Sequence, residues 1–141
     1  MTQDTGAPVF GPLIEQAKTG SVSLNVEPQA FLALDKALQQ RKTEIQSIQQ
    51  LVQKVHNQDS WGVGEQSPIL TSAHTIVQRL RDKGSGGANN AYDTLQDHWK
   101  TADELQTLFR TIRDRLQQTD SEFAAKLRAA QAALPEAGVT A

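Results

Sequence analysis

The sequence predicts an all-α protein, an elongated antiparallel bundle of two long helices plus one shorter helix. Three observations predict it. Apolar or small residues recur at alternating three- and four-residue spacing over two long stretches. Aromatic residues are only 5% of the chain, while Leu, Ala and Gln are plentiful, a balance that suits helices rather than sheets. A Trp-Gly-Val-Gly turn, Trp61 to Gly64, lies between the two stretches.

Residues 1–23 read as a flexible tail carrying Gly6, Pro8, Gly11, Pro12 and Gly20, with one short helix expected at most, over 12–18, where Leu13, Ile14 and Ala17 share a side. The helical domain is expected over 24–134. Its first long helix starts near Glu27-Pro28, since proline suits a first helical position that needs no N–H. Phe31, Leu34, Leu38, Arg41, Ile45, Ile48, Val52 and Val55 form its seam. Arg41 either lays its stem over that seam or meets a carboxylate on a partner chain.

Trp61, Gly62 and Gly64 form the turn motif: the glycines free the backbone to reverse, and the indole can cover the open end of the helix pair. Ser67-Pro68 then reads as N-cap and first residue of a short amphipathic helix ending near Lys83. Gly84 to Gly87 breaks the chain, and Asn89 or Asn90 caps the last helix. From Ala91 the seam runs Leu95, His98, Ala102, Leu105, Phe109, Ile112, Leu116, Thr119, Phe123, Lys126 and Ala130 with no proline or glycine, which predicts one helix of roughly 60 Å. Glu122 and Lys126 make an i,i+4 pair on it. Tyr92, Trp99, Leu108 and Leu127 lie off this seam, so they are candidates to face the short helix or another molecule. Residues 135–141 are expected to fray.

Composition narrows the function. The chain has 141 residues, a net charge of −2 and no cysteine, so it carries no thiolate nucleophile and no strong electrostatic footprint. Its first residues lack the basic and continuous apolar regions of a secretory signal, and no run reaches the roughly 20 apolar residues of a membrane span. His56, His74 and His98 have no partner histidine at metal-ligand spacing, and Gly62-Val-Gly64 follows no strand; neither a catalytic site nor a cofactor is expected. The two basic clusters, 79–83 and 110–115, each contain an acid and no stacking aromatic, so nucleic-acid binding is not expected. What remains is a protein that works through its helix faces.

The arrangement resembles the WXG100 (Esx-like) proteins associated with type VII secretion in actinobacteria and related bacteria. Those are helical hairpins with Trp-x-Gly at the turn and Tyr-x-x-x-Asp/Glu near the end of the second helix. Here Trp61-Gly62-Val63-Gly64 stands at the turn, with glycine second and fourth instead of third. Leu116-Gln-Gln-Thr-Asp120 is similar to the export signal with leucine in the tyrosine position, and Ser121 to Leu127 looks like the continuation found in larger relatives. The likeness covers Glu27 to Leu127. It implies a secretion substrate or secretion partner, with Leu116 and Asp120 as an exposed recognition feature supported by Phe123. It also implies a homodimer, or a heterodimer with a similar small helical protein, and a secretion ATPase as a further partner. Location would then be secreted or cell-surface by a non-Sec route, and otherwise cytoplasmic. The alternative reading is a cytoplasmic coiled-coil adaptor or scaffold with no export role.

Overall fold

The structure is a computed structural model that describes residues 8–22, 24 and 26–134. The described residues form five α-helices and no strand: α1 (Gly11–Thr19), α2 (Pro28–His56), α3 (Thr71–Gly84), α4 (Ala91–Thr119) and α5 (Ser121–Ala132). The all-α class is therefore what the seams predicted, with α2 starting at Pro28 and ending at His56 as expected. Within the tail expected over 1–23, the short helix considered at 12–18 is present as α1, one residue longer at each end; residues 1–7 and the frayed end expected at 135–141 lie outside the described residues. The chain divides into two compact units, residues 1–40 with 101–141, and residues 41–100.

The first unit holds a well-filled core. Phe31 of α2 lies at its centre, edge-on to Phe123 of α5 at 5.8 Å and to Phe109 of α4 at 6.4 Å. Ala17, Leu108, Ile112 and Leu127 complete the buried cluster. α1 joins it because Ala17 is wholly buried and Ile14 lies against the cluster, while the Phe10 N–H donates to the Glu104 carboxylate at 3.1 Å. Gly20 ends α1 with φ +79, and the Gly20 and Ser21 N–H groups close onto the Ala17 and Gln16 carbonyls. That left-handed finish is what glycine permits at a helix end. Here α2 and α4 run antiparallel, since Gln39 meets Gln106 while Asp35 meets Arg110. Gln106, 2% exposed, donates to the Asp35 carbonyl at 3.2 Å, so a polar side chain is tolerated at this depth. Arg110 grips Asp35 through two nitrogens, and its guanidinium holds that carboxyl below its ordinary range.

One helix expected over 91–130 is in fact two. Asp120 leaves the helical region (φ −128, ψ 107), and its carboxylate accepts from the Glu122 and Phe123 N–H groups, both at 3.0 Å. An aspartate that satisfies two first-turn donors starts a new helix, and the unbroken apolar spacing masked this stop. The Glu122–Lys126 pair forms within α5, at 3.1 Å.

In the second unit α2 and α4 are again antiparallel: Gln49 donates to Gln96 and to the Tyr92 carbonyl, while Lys42 lies over the Trp99 ring at 4.7 Å. The seam has slipped by one residue here. Ile45 is buried, but Gln49 (6% exposed) replaces Ile48 (46%), and His56 replaces Val55 on the inner side. A helix of 3.6 residues per turn drifts against a 3.5-residue repeat, and the drift carries the apolar stripe outward. The short helix starts three residues later than Ser67-Pro68 suggests. Ser67 Oγ accepts from the Ile69 N–H at 3.3 Å, a local turn that holds 67–69 outside the helix.

Asn90 is the residue that launches α4. It is 2% exposed; its amide oxygen accepts from the Asp93 N–H at 2.8 Å, and its amide nitrogen donates to the Gly87 carbonyl and the Asp93 carboxylate, both at 2.7 Å. Replacing it by alanine removes the cap and strands buried partners, so Asn90→Ala should lower the unfolding free energy by about 1–2 kcal/mol. Chemical denaturation checks this.

Candidate interaction surface

The second unit is short of a core. Its fully buried apolar side chains are Ile45 and Val77, whereas eight of its large apolar side chains are exposed. The first unit has the opposite balance. α2 exposes Ile48, Leu51 and Val55 at three- and four-residue spacing, 46%, 62% and 50% accessible. α3 exposes Ile76 and Leu80, one turn apart, and the preceding loop exposes Val63, Ile69 and Leu70.

Contacts at the end of α2 fix how α3 lies. Gly84 approaches Val52 and His56, so that a Cβ there would stand 3.7 Å from His56 Cβ. His56 Nδ1 lies 2.8 Å from the Arg81 carbonyl and, facing an acceptor, carries the proton it donates. The Arg81 guanidinium donates to the Gln58 and Asp59 carbonyls, at 2.7 and 3.3 Å, just beyond the end of α2. Falling numbers along α3 thus meet rising numbers along α2: the two are antiparallel. On antiparallel helices whose inner sides are Val52–His56 and Val77–Gly84, the stripes Ile48–Leu51–Val55 and Ile76–Leu80 turn to the same side. They make one apolar face.

The turn motif shapes the loop between α2 and α3. Gly62 and Gly64 have φ +72 and +87, a left-handed backbone that favours glycine at both places; a Cβ on Gly64 would press only on the tip of the exposed Leu70 side chain, which can turn aside. Trp61 is half-buried, and its buried indole N–H has no acceptor among the described residues. The loop folds around a residue that sequence reasoning passed over. The Glu65 carboxylate accepts from the Trp61 and Val63 N–H groups and from Ser60 Oγ. These backbone donors, Trp61 foremost, pull its pKa down from 4.5 to about 2. An acid directly after the Gly-Val-Gly run was the available signal. Because the fold favours the charged form, the loop's stabilisation is complete above pH 4.5 and declines as pH falls toward 2. Amide resonances of Trp61 and Val63 should therefore titrate with a midpoint near 2, and Glu65→Gln should abolish that titration.

The remaining predicted residues part company. Leu108 and Leu127, offered as interface, are 7% and 0% exposed in the first unit's core and have no surface to offer a partner. Tyr92 and Trp99 are half-buried in the second unit, Trp99 beneath Lys42. In the export-like segment Leu116 lies against the core, Phe123 is 8% exposed within it, and the exposed Asp120 uses its carboxylate to cap α5. The three do not form one exposed feature.

Among the described residues no three His, Asp or Glu side chains gather as a metal site would require. A groove of about 440 Å³ beside α2 and α4 is lined by Gln46, Gln49, Gln50, Gln53, Tyr92 and Gln96, whose amides offer hydrogen bonds. No described helix is long and apolar enough to cross a membrane. No family model, curated protein or solved structure matches the chain.

Proposed function

We propose that this chain is a non-enzymatic protein-interaction module, a hairpin of α2 and α4 that binds a helical protein through the apolar face of α2 and α3. The imbalance of the second unit carries the reading: a unit that exposes eight large apolar side chains and buries two gains most by covering them. Such a face suits an amphipathic helix laid along it.

The likeness to WXG100 proteins supplies the setting: export through, or partnership with, a type VII secretion system, with a similar small helical protein as the bound species and a secretion ATPase as a further partner. The break at Asp120 and its exposed neighbour Glu122 are the part of the export-like segment left open to recognition. In a host with that machinery the protein should be found in the culture supernatant, and Asp120→Ala should reduce it there while cellular levels persist. Finding none outside the cell, for wild type and variant alike, would leave the cytoplasmic adaptor as the reading. Co-expression with the helical product of a neighbouring gene tests the docking itself: the pair should co-purify, and Leu51→Glu should separate them.

A further inference from the structure

The second unit carries a polar groove as well as an apolar face. Gln46, Gln49, Gln50 and Gln53 of α2, with Tyr92 and Gln96 of α4, enclose its 440 Å³, a volume within the range of small-ligand sites. At about 100° per residue, Gln46, Gln50 and Gln53 stand on the side of α2 opposite Ile48, Leu51 and Val55. We propose that this groove binds a neutral saccharide of disaccharide size.

The chemistry of the lining selects the class of ligand. None of the six side chains is an acid or a base of ordinary pH, so an ionic ligand would lose hydration with no counter-charge to replace it. An apolar ligand would leave the amides unpaired. A carboxamide sets two donors beside an acceptor, and a sugar hydroxyl, itself donor and acceptor, can meet either side. Gln49 is the buried member, 6% exposed; its Nε2 donates to the Tyr92 carbonyl at 3.3 Å and to Gln96 Oε1 at 3.0 Å. Those bonds leave Gln49 Oε1 to accept and Gln96 Nε2 to donate, with no partner for either among the described residues. The side-chain amides of Gln46, Gln50 and Gln53 likewise have no partner among the described residues. Tyr92 adds a phenol, apolar in its body and polar at its tip, which suits a pyranose with C–H faces and hydroxyl edges. Spacing separates a sugar from a peptide. An extended peptide offers its backbone groups on one side at intervals of about 7 Å, whereas Gln46, Gln50 and Gln53 rise at about 6 and 4.5 Å.

Two-dimensional NMR of the isotope-labelled full chain, read on the side-chain amides of Gln46, Gln49, Gln50, Gln53 and Gln96, tests this with maltose, cellobiose and lactose as probes. At least one of the three should shift those resonances saturably, with a dissociation constant on the order of 1 mM, and glucuronate should not. Gln46→Ala with Gln50→Ala, both exposed on a helix, should preserve the circular dichroism and weaken sugar binding about fivefold or more. Leu51→Glu, on the opposite side of α2, should bind the sugar as wild type does. No saturable shift with any of the three sugars up to about 20 mM overturns the proposal. Shifts with an uncharged glycine–serine peptide and none with the sugars overturn it in favour of a peptide. Sugar affinity that the double variant leaves unchanged overturns the placement in this groove.

Discussion

Phe31→Ala should destabilise the first unit by about 3–5 kcal/mol, the largest loss expected from any single truncation in this chain. The ring is 3% exposed and is the only side chain to touch aromatic rings on both α4 and α5 among the described pairs. Truncation removes its transfer free energy and both edge-to-face contacts, and it leaves a hole that the flanking helices cannot close without moving. Against a total stability of the order of 5–15 kcal/mol, this loss would consume a large part of the margin. Urea unfolding followed by far-ultraviolet circular dichroism should show the midpoint fall sharply. Phe31→Leu should recover much of the loss, because it restores volume without restoring the rings.

Leu51→Glu should do the reverse: little to the stability of the chain by itself and a great deal to its association. At 62% exposure Leu51 buries little in its own chain, so the substitution should move the unfolding free energy by less than about 0.5 kcal/mol. Within a covered face it would place a carboxylate in a desolvated seam beside Ile48, and association should weaken by two orders of magnitude or more. Combining it with Leu80→Glu should leave a chain that is helical, soluble and single. The pair of substitutions, Phe31→Ala and Leu51→Glu, thus separates what holds the fold from what the fold presents.

Much of the fold was legible in the residues and their spacing. Pro28, the Trp61–Gly64 turn, Gly84–Gly87 and Asn90 mark element ends because each carries a local backbone constraint independent of what packs around it. The missed features have a common physical origin: periodicity counts apolar residues but does not say which of two adjacent stripes faces inward. Ile48 and Gln49 are neighbours, and only the approach of Gln96 and the Tyr92 carbonyl on α4 turns the glutamine in and the isoleucine out. The same holds for Asp120, whose capping role was visible in the local sequence Thr-Asp-Ser-Glu but was outvoted by an apolar pattern that runs straight through it. Leu108 and Leu127 went the other way, from a supposed second stripe into the core, because α1 and α5 supply walls that a two-helix pattern does not anticipate.

The exposed apolar surface was legible only as surplus. Sequence spacing implied that a narrow bundle leaves apolar residues over; it did not place them on the second unit, since that placement follows from the slipped seam of α2 and from the anchoring of α3 by Arg81, His56 and Gly84. Once placed, these residues form the one large apolar face of a unit with little core of its own.

Hydroxyl-radical footprinting of the full chain, dilute, concentrated and with a co-purified helical protein, tests most directly whether that face is where another chain binds. Ile48, Leu51, Val55, Ile76 and Leu80 should react in the dilute chain and become protected on association, while the exposed Leu13 and Leu24 of the first unit keep their reactivity. Unchanged reactivity of those five side chains under every condition would contradict the account.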